Sequence, residues 1–428
     1  MLGKILNTFG TRLGSAVLNL LIAIIISRFL GPEGKGEQGL IVATIAYILV
    51  FANLMGGGAI VFLTPKFHYA RILLPAYVWT LVTGAVFFVV LSLFKLVDAG
   101  LVVHICILAV ISAFAAINSS ILIGKEKIGP SNFVALVQPL FVSAGLVVFF
   151  FMLDELTIWS YINSLYIAFS ISFLISLFYL SKFGGRFTFT GWPDYLEVIR
   201  KMIRYGVLNQ LAHIFQLLSF RMSYYWLEQI FSEREVGIYS NGTSLVESIW
   251  LISRSISMVQ YARIANTTDN AYAQKLTVNL TVAGLFASLI LLLILVFLPA
   301  ELFVWIYGPG FGEVGNVIRS LAPGVLFFNV ALIMGHYFSG TGKYHVNTMA
   351  SFAGLIVSVI LFSILIPLYG ITGAGWATSI SYFVTSLVVF LIFYREAALK
   401  PAEYLPSKNE INELIKTLSG FFKPTGKK

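Results

Sequence analysis

Charged residues are scarce in this sequence: Asp, Glu, Lys and Arg make up 11% of 428 residues, whereas hydrophobic residues make up 58%. A soluble globular chain is about 25% charged and about 45–50% apolar, so an ordinary soluble domain is excluded. Cys106 is the single cysteine, which excludes an intramolecular disulfide. The five histidines, the cysteine and the carboxylates form no cluster with metal-ligand spacing, so we predict no metal site and no cofactor.

Long apolar runs are what the sequence has in quantity. About twelve of them follow one another, each near the roughly 20 residues that a helix needs to cross a bilayer. Lipid offers the backbone no hydrogen-bond partner, so these runs are predicted to be helices. The first run is followed by more spans and not by a cleavage site, so we expect no signal peptide. The predicted spans are 8–29, 40–63, 72–94, 101–123, 133–152, 158–180, 206–227, 237–261, 277–298, 319–338, 348–368 and 374–394.

Positive charge is divided unevenly between the two sides of these spans. Of 28 Lys and Arg residues, 21 lie on the side that holds both termini and 5 on the other side, counting Arg12, Arg28 and Arg319 near span ends with the adjacent side, and 2 lie deeper inside spans. Cytoplasmic loops of membrane proteins carry the excess of Lys and Arg, so both termini are predicted to be cytoplasmic. This topology accounts for the net charge of +9, and nucleic acid is not expected as a partner.

A basic stretch near residue 190 separates two sets of six spans. Its second part is amphipathic, which predicts an interfacial lead-in to span 7. The tail contains a capping box from Ser407 to Glu410 and then apolar residues at helical spacing, which predicts a short helix that either docks a partner or lies on the inner leaflet. The predicted domains are an N-terminal bundle over 1–180, a cytoplasmic linker over 181–205, a C-terminal bundle over 206–394 and a cytoplasmic tail over 395–428.

The two sets of spans show a weak internal repeat. Gly124-Lys-Glu-Lys127 follows span 4, and Gly340-Thr-Gly-Lys343 follows span 10, at an offset of 216 residues. Two halves with equal numbers of spans and the same orientation are parallel repeats. Transporters commonly place the substrate between such halves, near the middle of the membrane.

Several glycine-marked turns resemble those of one transporter family. The chain is similar in these turns, and in their order over nearly its whole length, to polysaccharide flippases of the Wzx type, which belong to the multidrug/oligosaccharidyl-lipid/polysaccharide (MOP) exporter superfamily. The turns are Arg28-Phe-Leu-Gly-Pro-Glu-Gly-Lys-Gly36, Glu235-Val-Gly-Ile-Tyr239, Tyr307-Gly-Pro-Gly-Phe311, Arg319-Ser-Leu-Ala-Pro323 and Tyr369-Gly-Ile-Thr-Gly-Ala-Gly-Trp-Ala377.

The resemblance implies an all-α polytopic membrane protein with about 12 transmembrane helices in two pseudo-symmetric six-helix bundles, MATE-like and V-shaped, that works by alternating access. It implies a polyprenyl-pyrophosphate-linked oligosaccharide as cargo, moved from the cytoplasmic to the outer leaflet for cell-surface polysaccharide biosynthesis. Membrane lipids, a polysaccharide polymerase and glycosyltransferases are the implied partners. The implied location is the inner membrane of a prokaryote.

An anionic cargo directs attention to arginines inside spans. A charge there costs about 2.5–3.5 kcal/mol on insertion scales and usually faces a cavity or a partner. Arginine donates two parallel bonds to phosphate and keeps its charge. We therefore predict that Arg12 in span 1 and Arg254 in span 8 hold the pyrophosphate. Related lipid II flippases have functional arginines in spans 1, 2 and 8, and this sequence has none in span 2.

Arg221 and Glu247 lie inside consecutive spans at similar predicted depth. Arg221 is a third candidate for the cavity, and Glu247 is a candidate for coupling or for an ion pair with Arg221. Helical spacing places Glu247, Trp250 and Arg254 on one face of span 8. The alternatives are that Arg12 extends to the headgroups and that Arg221 and Glu247 only pair to pack helices.

Asparagines inside spans are candidates for contact with sugar hydroxyls. The alternative is that they form hydrogen bonds between helices, as polar residues in membrane bundles often do. The candidates are Asn19, Asn53, Asn118 and Asn329.

Two other functions compete with the flippase. A cation or drug exporter of the same fold needs acidic residues in its cavity, and only Glu247 lies clearly inside a span. A membrane oligosaccharide polymerase or ligase needs a sizeable outer loop with catalytic groups, and the longest outer gap, 299–318, is short. We predict no catalytic residue and no enzyme activity.

Overall fold

The computed structural model describes residues 2–184, 191–265, 267 and 269–397, and within these ranges all regular secondary structure is helical. This confirms the all-α prediction. The described ranges contain thirteen α-helices: α1 Leu2–Ala52, α2 Gly57–Leu63, α3 Tyr69–Phe94, α4 Ala99–Gly124, α5 Ile128–Val147, α6 Ile158–Gly184, α7 Trp192–Ile230, α8 Glu233–Ser248, α9 Trp250–Ala265, α10 Asn270–Val296, α11 Ala300–Tyr307, α12 Val314–Gly340 and α13 Tyr344–Glu396.

Two helices are twice the length that a bilayer requires. α1 has 51 residues and α13 has 53, and each is interrupted by one glycine in the left-handed region, Gly31 at φ 71° and Gly370 at φ 55°. The predicted gap between spans 1 and 2 contains the break at Gly31, and helix resumes directly after it. Pro32 is suited to this first helical position, since its missing N–H would have no partner there.

The helices account for the twelve predicted spans. Eight helical segments among the described residues are long and apolar enough to cross a membrane, and α1 and α13 each supply two crossings. The remaining two crossings correspond to α7 and to α8 with α9, which are more polar than the others. A short 3₁₀ segment, Asn53–Met55, separates α1 from α2 inside span 2.

The described chain divides into two compact units. Unit 1 comprises Met1–Asn241 and Ala300–Val314, and unit 2 comprises Gly242–Pro299 and Gly315–Lys428. This boundary lies inside α8 and differs from the predicted division at 181–205. The reason is packing within unit 1: α7 contacts α1, α2 and α3, and Asn241 Nδ2 on α8 donates to Ser27 Oγ on α1 at 2.8 Å. The predicted bundles over 1–180 and 206–394 stay a prediction.

The internal repeat has a counterpart in the backbone of each unit. Glu126 and Gly342, which are 216 residues apart, both have positive φ, at 60° and 78°. The next residue in each case donates its N–H five residues back, Lys127 to Leu122 O at 2.8 Å and Lys343 to Phe338 O at 2.7 Å. Both pairs of helices are therefore joined by the same turn.

The linker and tail predictions are resolved only in part. The amphipathic lead-in is the first part of α7, in continuous helix with span 7. α6 ends at Gly184, and residues 185–190 lie outside the described residues. α13 ends at Glu396, and residues 398–428 lie outside the described residues. The short helix predicted after Ser407 falls in that segment.

Candidate functional site

Three of the glycine-marked turns meet at one place in unit 1, which we call the motif joint (residues 28–36, 233–239 and 305–311). A Cβ on Gly36 would lie 1.8 Å from Glu233 O, and a Cβ on Gly237 would lie 2.0 Å from Pro32 O. Glycine is therefore required at both positions for α1 and α8 to approach backbone to backbone. The third turn is held by Arg28, whose guanidinium Nε donates to Ile306 O at 2.8 Å and whose Nη2 donates to Trp305 O.

Arg12 lies on an exposed face of α1 in unit 1. Ser15 and Asn19 follow it on the same face, and Asn19 is exposed as well. Within the described residues Arg12 forms no ion pair. The start of α1 is fixed by α5, because Asn132 Nδ2 donates to Thr8 Oγ1 at 2.9 Å. The structure thus presents a cation and an amide together on an anchored helix.

Arg254 lies in unit 2 on the polar, exposed face of a broken helix. α8 ends at Ser248 and α9 begins at Trp250, and Ile249 between them is in a tight turn. Of the residues predicted to share one face, Trp250 is buried, Glu247 is half-buried and Arg254 is exposed, and their common face stays a prediction. The other exposed polar residues of this face are Ser244, Ser248 and Ser255.

The polarity of this face distinguishes it from the lipid-facing surfaces of unit 2. In the second half of α10 the exposed residues are all apolar, among them Phe286, Ile290 and Ile294. The hydroxyls of Ser248 and Ser255 are satisfied by backbone carbonyls of Leu245 and Leu251, but the exposed guanidinium of Arg254 forms no ion pair with a described residue. Since an unpaired charge in hydrocarbon is costly, the exposed face of α8 and α9 is suited to a water-filled path.

Glu247 is connected to Arg254 through an aromatic cluster. Tyr382 Oη donates to Glu247 Oε1 at 3.0 Å, and the Tyr382 ring lies 5.4 Å from the ring of Trp250. Trp250 Nε1 donates to Val325 O at 3.0 Å, which fixes the indole. The Arg254 guanidinium carbon lies 6.0 Å from the centre of the Trp250 ring, at the limit of a cation–π contact. A rigid, buried platform therefore carries an exposed arginine on one side and a half-buried carboxylate on the other.

Arg221 is half-buried on α7 in unit 1. Its guanidinium lies 5.6 Å from the ring of Tyr224, which in turn packs edge-on against Tyr239 of α8. Nη1 donates a long bond of 3.4 Å to Phe220 O. Arg221 belongs to unit 1 and Glu247 to unit 2, and their pairing stays a prediction.

Two of the candidate asparagines are enclosed by protein. Asn118 on α4 accepts from Tyr77 Oη at 2.7 Å and donates to Ser176 Oγ at 2.9 Å. Asn329 on α12 accepts from Ser253 and from Ser288 Oγ at 3.2 Å, and its amide donates to backbone carbonyls of α12. Both side chains are fully buried, which favours the helix-packing alternative for them.

The other two candidate asparagines are more accessible. Asn19 is exposed beside Arg12, and Asn53 is half-buried in the 3₁₀ segment that interrupts span 2. Sugar contact therefore stays a prediction that the accessibility of Asn19 and Asn53 permits. Tyr382 is the functional candidate that sequence reasoning missed. Its signal was a phenol inside an apolar span, between Ser381 and Thr385.

Comparison with known proteins gives a family and a fold. The profile of a family described as "Polysaccharide biosynthesis protein" matches residues 2–268. The capsular polysaccharide biosynthesis protein CapF of Staphylococcus aureus is 28% identical over 172 residues, which cover 40% of this chain and 43% of CapF. The uncharacterized membrane protein YabM of Bacillus subtilis is 30% identical over 153 residues, 34% of this chain and 28% of YabM. The matched part thus spans less than half the length of these curated relatives.

Two solved structures share the fold. An inward-facing multidrug resistance MATE family transporter of the MOP superfamily superposes with a TM-score of 0.72 at 14% identity, covering 89% of this chain and 94% of that one. The lipid II flippase MurJ in an inward closed conformation superposes with a TM-score of 0.71 at 16% identity, covering 100% of this chain and 94% of that one. At these identities the similarity shows the fold alone.

Proposed function

Because the chain belongs to the polysaccharide biosynthesis protein family, we propose that it is a flippase for a polyprenyl-pyrophosphate-linked oligosaccharide. It moves the cargo from the cytoplasmic to the outer leaflet of a prokaryotic inner membrane by alternating access. Both termini are cytoplasmic. Glycosyltransferases supply the cargo, and a polymerase consumes it.

The exposed guanidinium of Arg254 carries this proposal. A polar headgroup does not cross hydrocarbon unaided, because each buried polar group that lacks a hydrogen bond costs several kcal/mol, and a charge costs more. A fixed cation on a polar helix face reduces that cost for a pyrophosphate. Trp250 beneath Arg254 is buried and bonded to Val325 O, so the cation is supported by a rigid side chain.

Arg12 and Asn19 give unit 1 a similar polar face. The guanidinium of Arg12 is suited to the pyrophosphate, and the amide of Asn19, two turns along α1, is suited to a sugar hydroxyl. The prenyl tail needs no such groups, because it stays in lipid. This arrangement supports an anionic, hydroxyl-rich headgroup over an organic cation.

A flipping assay in proteoliposomes tests the proposal. A fluorescent polyprenyl-pyrophosphate oligosaccharide is placed in one leaflet, and an impermeant quencher reports its arrival in the other. We expect Arg254→Ala to lower the initial rate about ten- to hundredfold, since a charge-assisted hydrogen bond contributes roughly 1.5–3 kcal/mol. Arg254→Lys restores part of the rate if charge alone is sufficient, and none if two-point contact with phosphate is required.

Arg263→Ala is the matched control, because Arg263 is also an exposed arginine of α9 but lies near its end. Equal rates for wild type and Arg254→Ala would remove Arg254 from the pathway. A parallel arm uses ethidium, an organic cation. Transport of ethidium without transport of the pyrophosphate lipid would contradict the proposal and favour a cation exporter.

A further inference from the structure

The lead-in, residues 194–205 of α7, packs along one face against the other helices of unit 1. Tyr195, Val198 and Met202 are almost fully buried, and Val198 and Met202 join a core cluster with residues of α2, α3 and α4. These three positions recur at helical spacing, so they form one stripe. The lead-in is therefore a docked helix and not a free linker.

A second face of the same helix is apolar and basic, and no described residue covers it. Leu196 is 61% exposed and Ile203 is 46% exposed, and at about 100° per residue they lie only about 20° apart around the helix. Arg200 and Arg204 are exposed on the flank of this stripe, and neither forms an ion pair with a described residue. Exposed apolar residues flanked by arginines are typical of helices that lie in a membrane interface.

A third face is suited to water. Glu197 and Lys201 form an ion pair at 2.6 Å, and both side chains remain about half exposed. The hydrogen bond from Lys201 lowers the pKa of the Glu197 carboxyl, so this carboxylate stays charged at neutral pH. The helix thus has one face for protein, one for an apolar and anionic surface, and one for water.

Contacts at both ends of the lead-in place it along the membrane face. Near its start, Asp194 pairs with Arg71 in the first turn of α3 at 3.0 Å. At its end, the Tyr205 ring lies 4.8 Å from the ring of Phe62 in the last turn of α2. α2 ends at Leu63 and α3 begins at Tyr69, so a short loop joins them and both helix ends lie at the same side of the membrane, the side predicted to be cytoplasmic. The lead-in contacts both of these ends and therefore runs across them.

We infer that the exposed face formed by Leu196, Arg200, Ile203 and Arg204 binds anionic phospholipid of the inner leaflet. Leu196 and Ile203 enter the boundary between headgroups and acyl chains, and Arg200 and Arg204 contact lipid phosphates. Charge complementarity supports this occupant over a zwitterionic lipid, because basic residues next to a membrane are attracted to anionic headgroups. The site is separate from the arginines assigned to the cargo.

Spin labelling of the full chain tests the position of this face. In a Cys106→Ser background, nitroxides are attached to Leu196→Cys, Ile203→Cys and, as a water-facing control, Glu197→Cys. The protein is placed in nanodiscs of phosphatidylcholine with phosphatidylglycerol. We expect labels at 196 and 203 to collide mainly with oxygen, and the label at 197 to collide mainly with a water-soluble nickel complex. If all three sites favour the nickel complex, the face is free for a protein partner and the inference is overturned.

Native mass spectrometry of the full chain tests the choice of lipid. Phosphatidylglycerol and phosphatidylcholine are titrated separately, and their binding constants are compared. Each arginine near an anionic surface contributes about fivefold, so Arg200→Gln with Arg204→Gln should weaken phosphatidylglycerol binding by about 25-fold and leave phosphatidylcholine unchanged. The control, Arg263→Gln with Arg395→Gln, removes the same charge elsewhere. No loss in the first variant, or an equal loss in the control, contradicts a specific site.

Discussion

Adding one methyl group to Gly36 should separate two helices of unit 1. The new Cβ would lie 1.8 Å from Glu233 O, whereas real Cβ atoms essentially never approach closer than 3.0 Å. α1 and α8 must therefore move apart by about 1.2 Å or more, and the obstacle is backbone, which cannot rotate away as a side chain can. Overpacking costs typically 1–3 kcal/mol, and we expect Gly36→Ala to lie at the upper end, about 3 kcal/mol.

Gly39→Ala is the matched control, since Gly39 is on the same helix one turn further along. A Cβ there would meet Ser240 Cβ at 3.5 Å, an ordinary contact, and alanine has the higher helix propensity. Thermal unfolding in detergent, followed by size-exclusion chromatography of the heated protein, measures both variants. We expect a clear fall in midpoint for Gly36→Ala and none for Gly39→Ala. Equal midpoints would refute the close approach of α1 and α8.

Three further variants test other parts of the structure. Asn329→Ala should lower the free energy of unfolding, measured by chemical denaturation, by about 1–2 kcal/mol, because hydrogen bonds between membrane helices contribute about 0.6 kcal/mol each. A reduced flipping rate in a variant that still folds would instead indicate contact with the cargo. Glu247→Gln keeps an oxygen that accepts from Tyr382, so folding should be unchanged in the thermal assay, and loss of flipping alone would assign the charge to coupling. Arg28→Lys should destabilise the motif joint by about 1 kcal/mol in the same assay, because lysine has one nitrogen where the guanidinium uses two to reach Trp305 O and Ile306 O. An unchanged midpoint would contradict that role.

The elements most fully predictable from the sequence were the spans and their number. Hydropathy is a local property, so a run such as 72–94 identifies α3 without knowledge of its neighbours. The predicted orientation rests on counting charges in loops, which needs no contacts either. The resemblance in the short turns was sufficient to indicate the family that the profile match then showed.

The candidate site was predictable only as a list of residues. Helical spacing alone placed Glu247, Trp250 and Arg254 on one face, but it indicated neither the break at Ile249 nor the burial of Trp250 beside an exposed Arg254. No proline or glycine marks this break in the sequence. The partner of Glu247 was likewise hidden, since Tyr382 is 135 residues away in sequence.

The sequence by itself determined which segments are helical and apolar, and which loops are basic, because these properties depend on each segment alone. Only the tertiary structure decided that Asn118 and Asn329 are enclosed while Asn19 is exposed, since identical side chains differ only in what surrounds them. The tertiary structure also explains why positions 36 and 237 require glycine. The atoms that exclude a Cβ at each position, in Glu233 and Pro32, come from about 200 residues away in the chain, and folding brings them within contact distance.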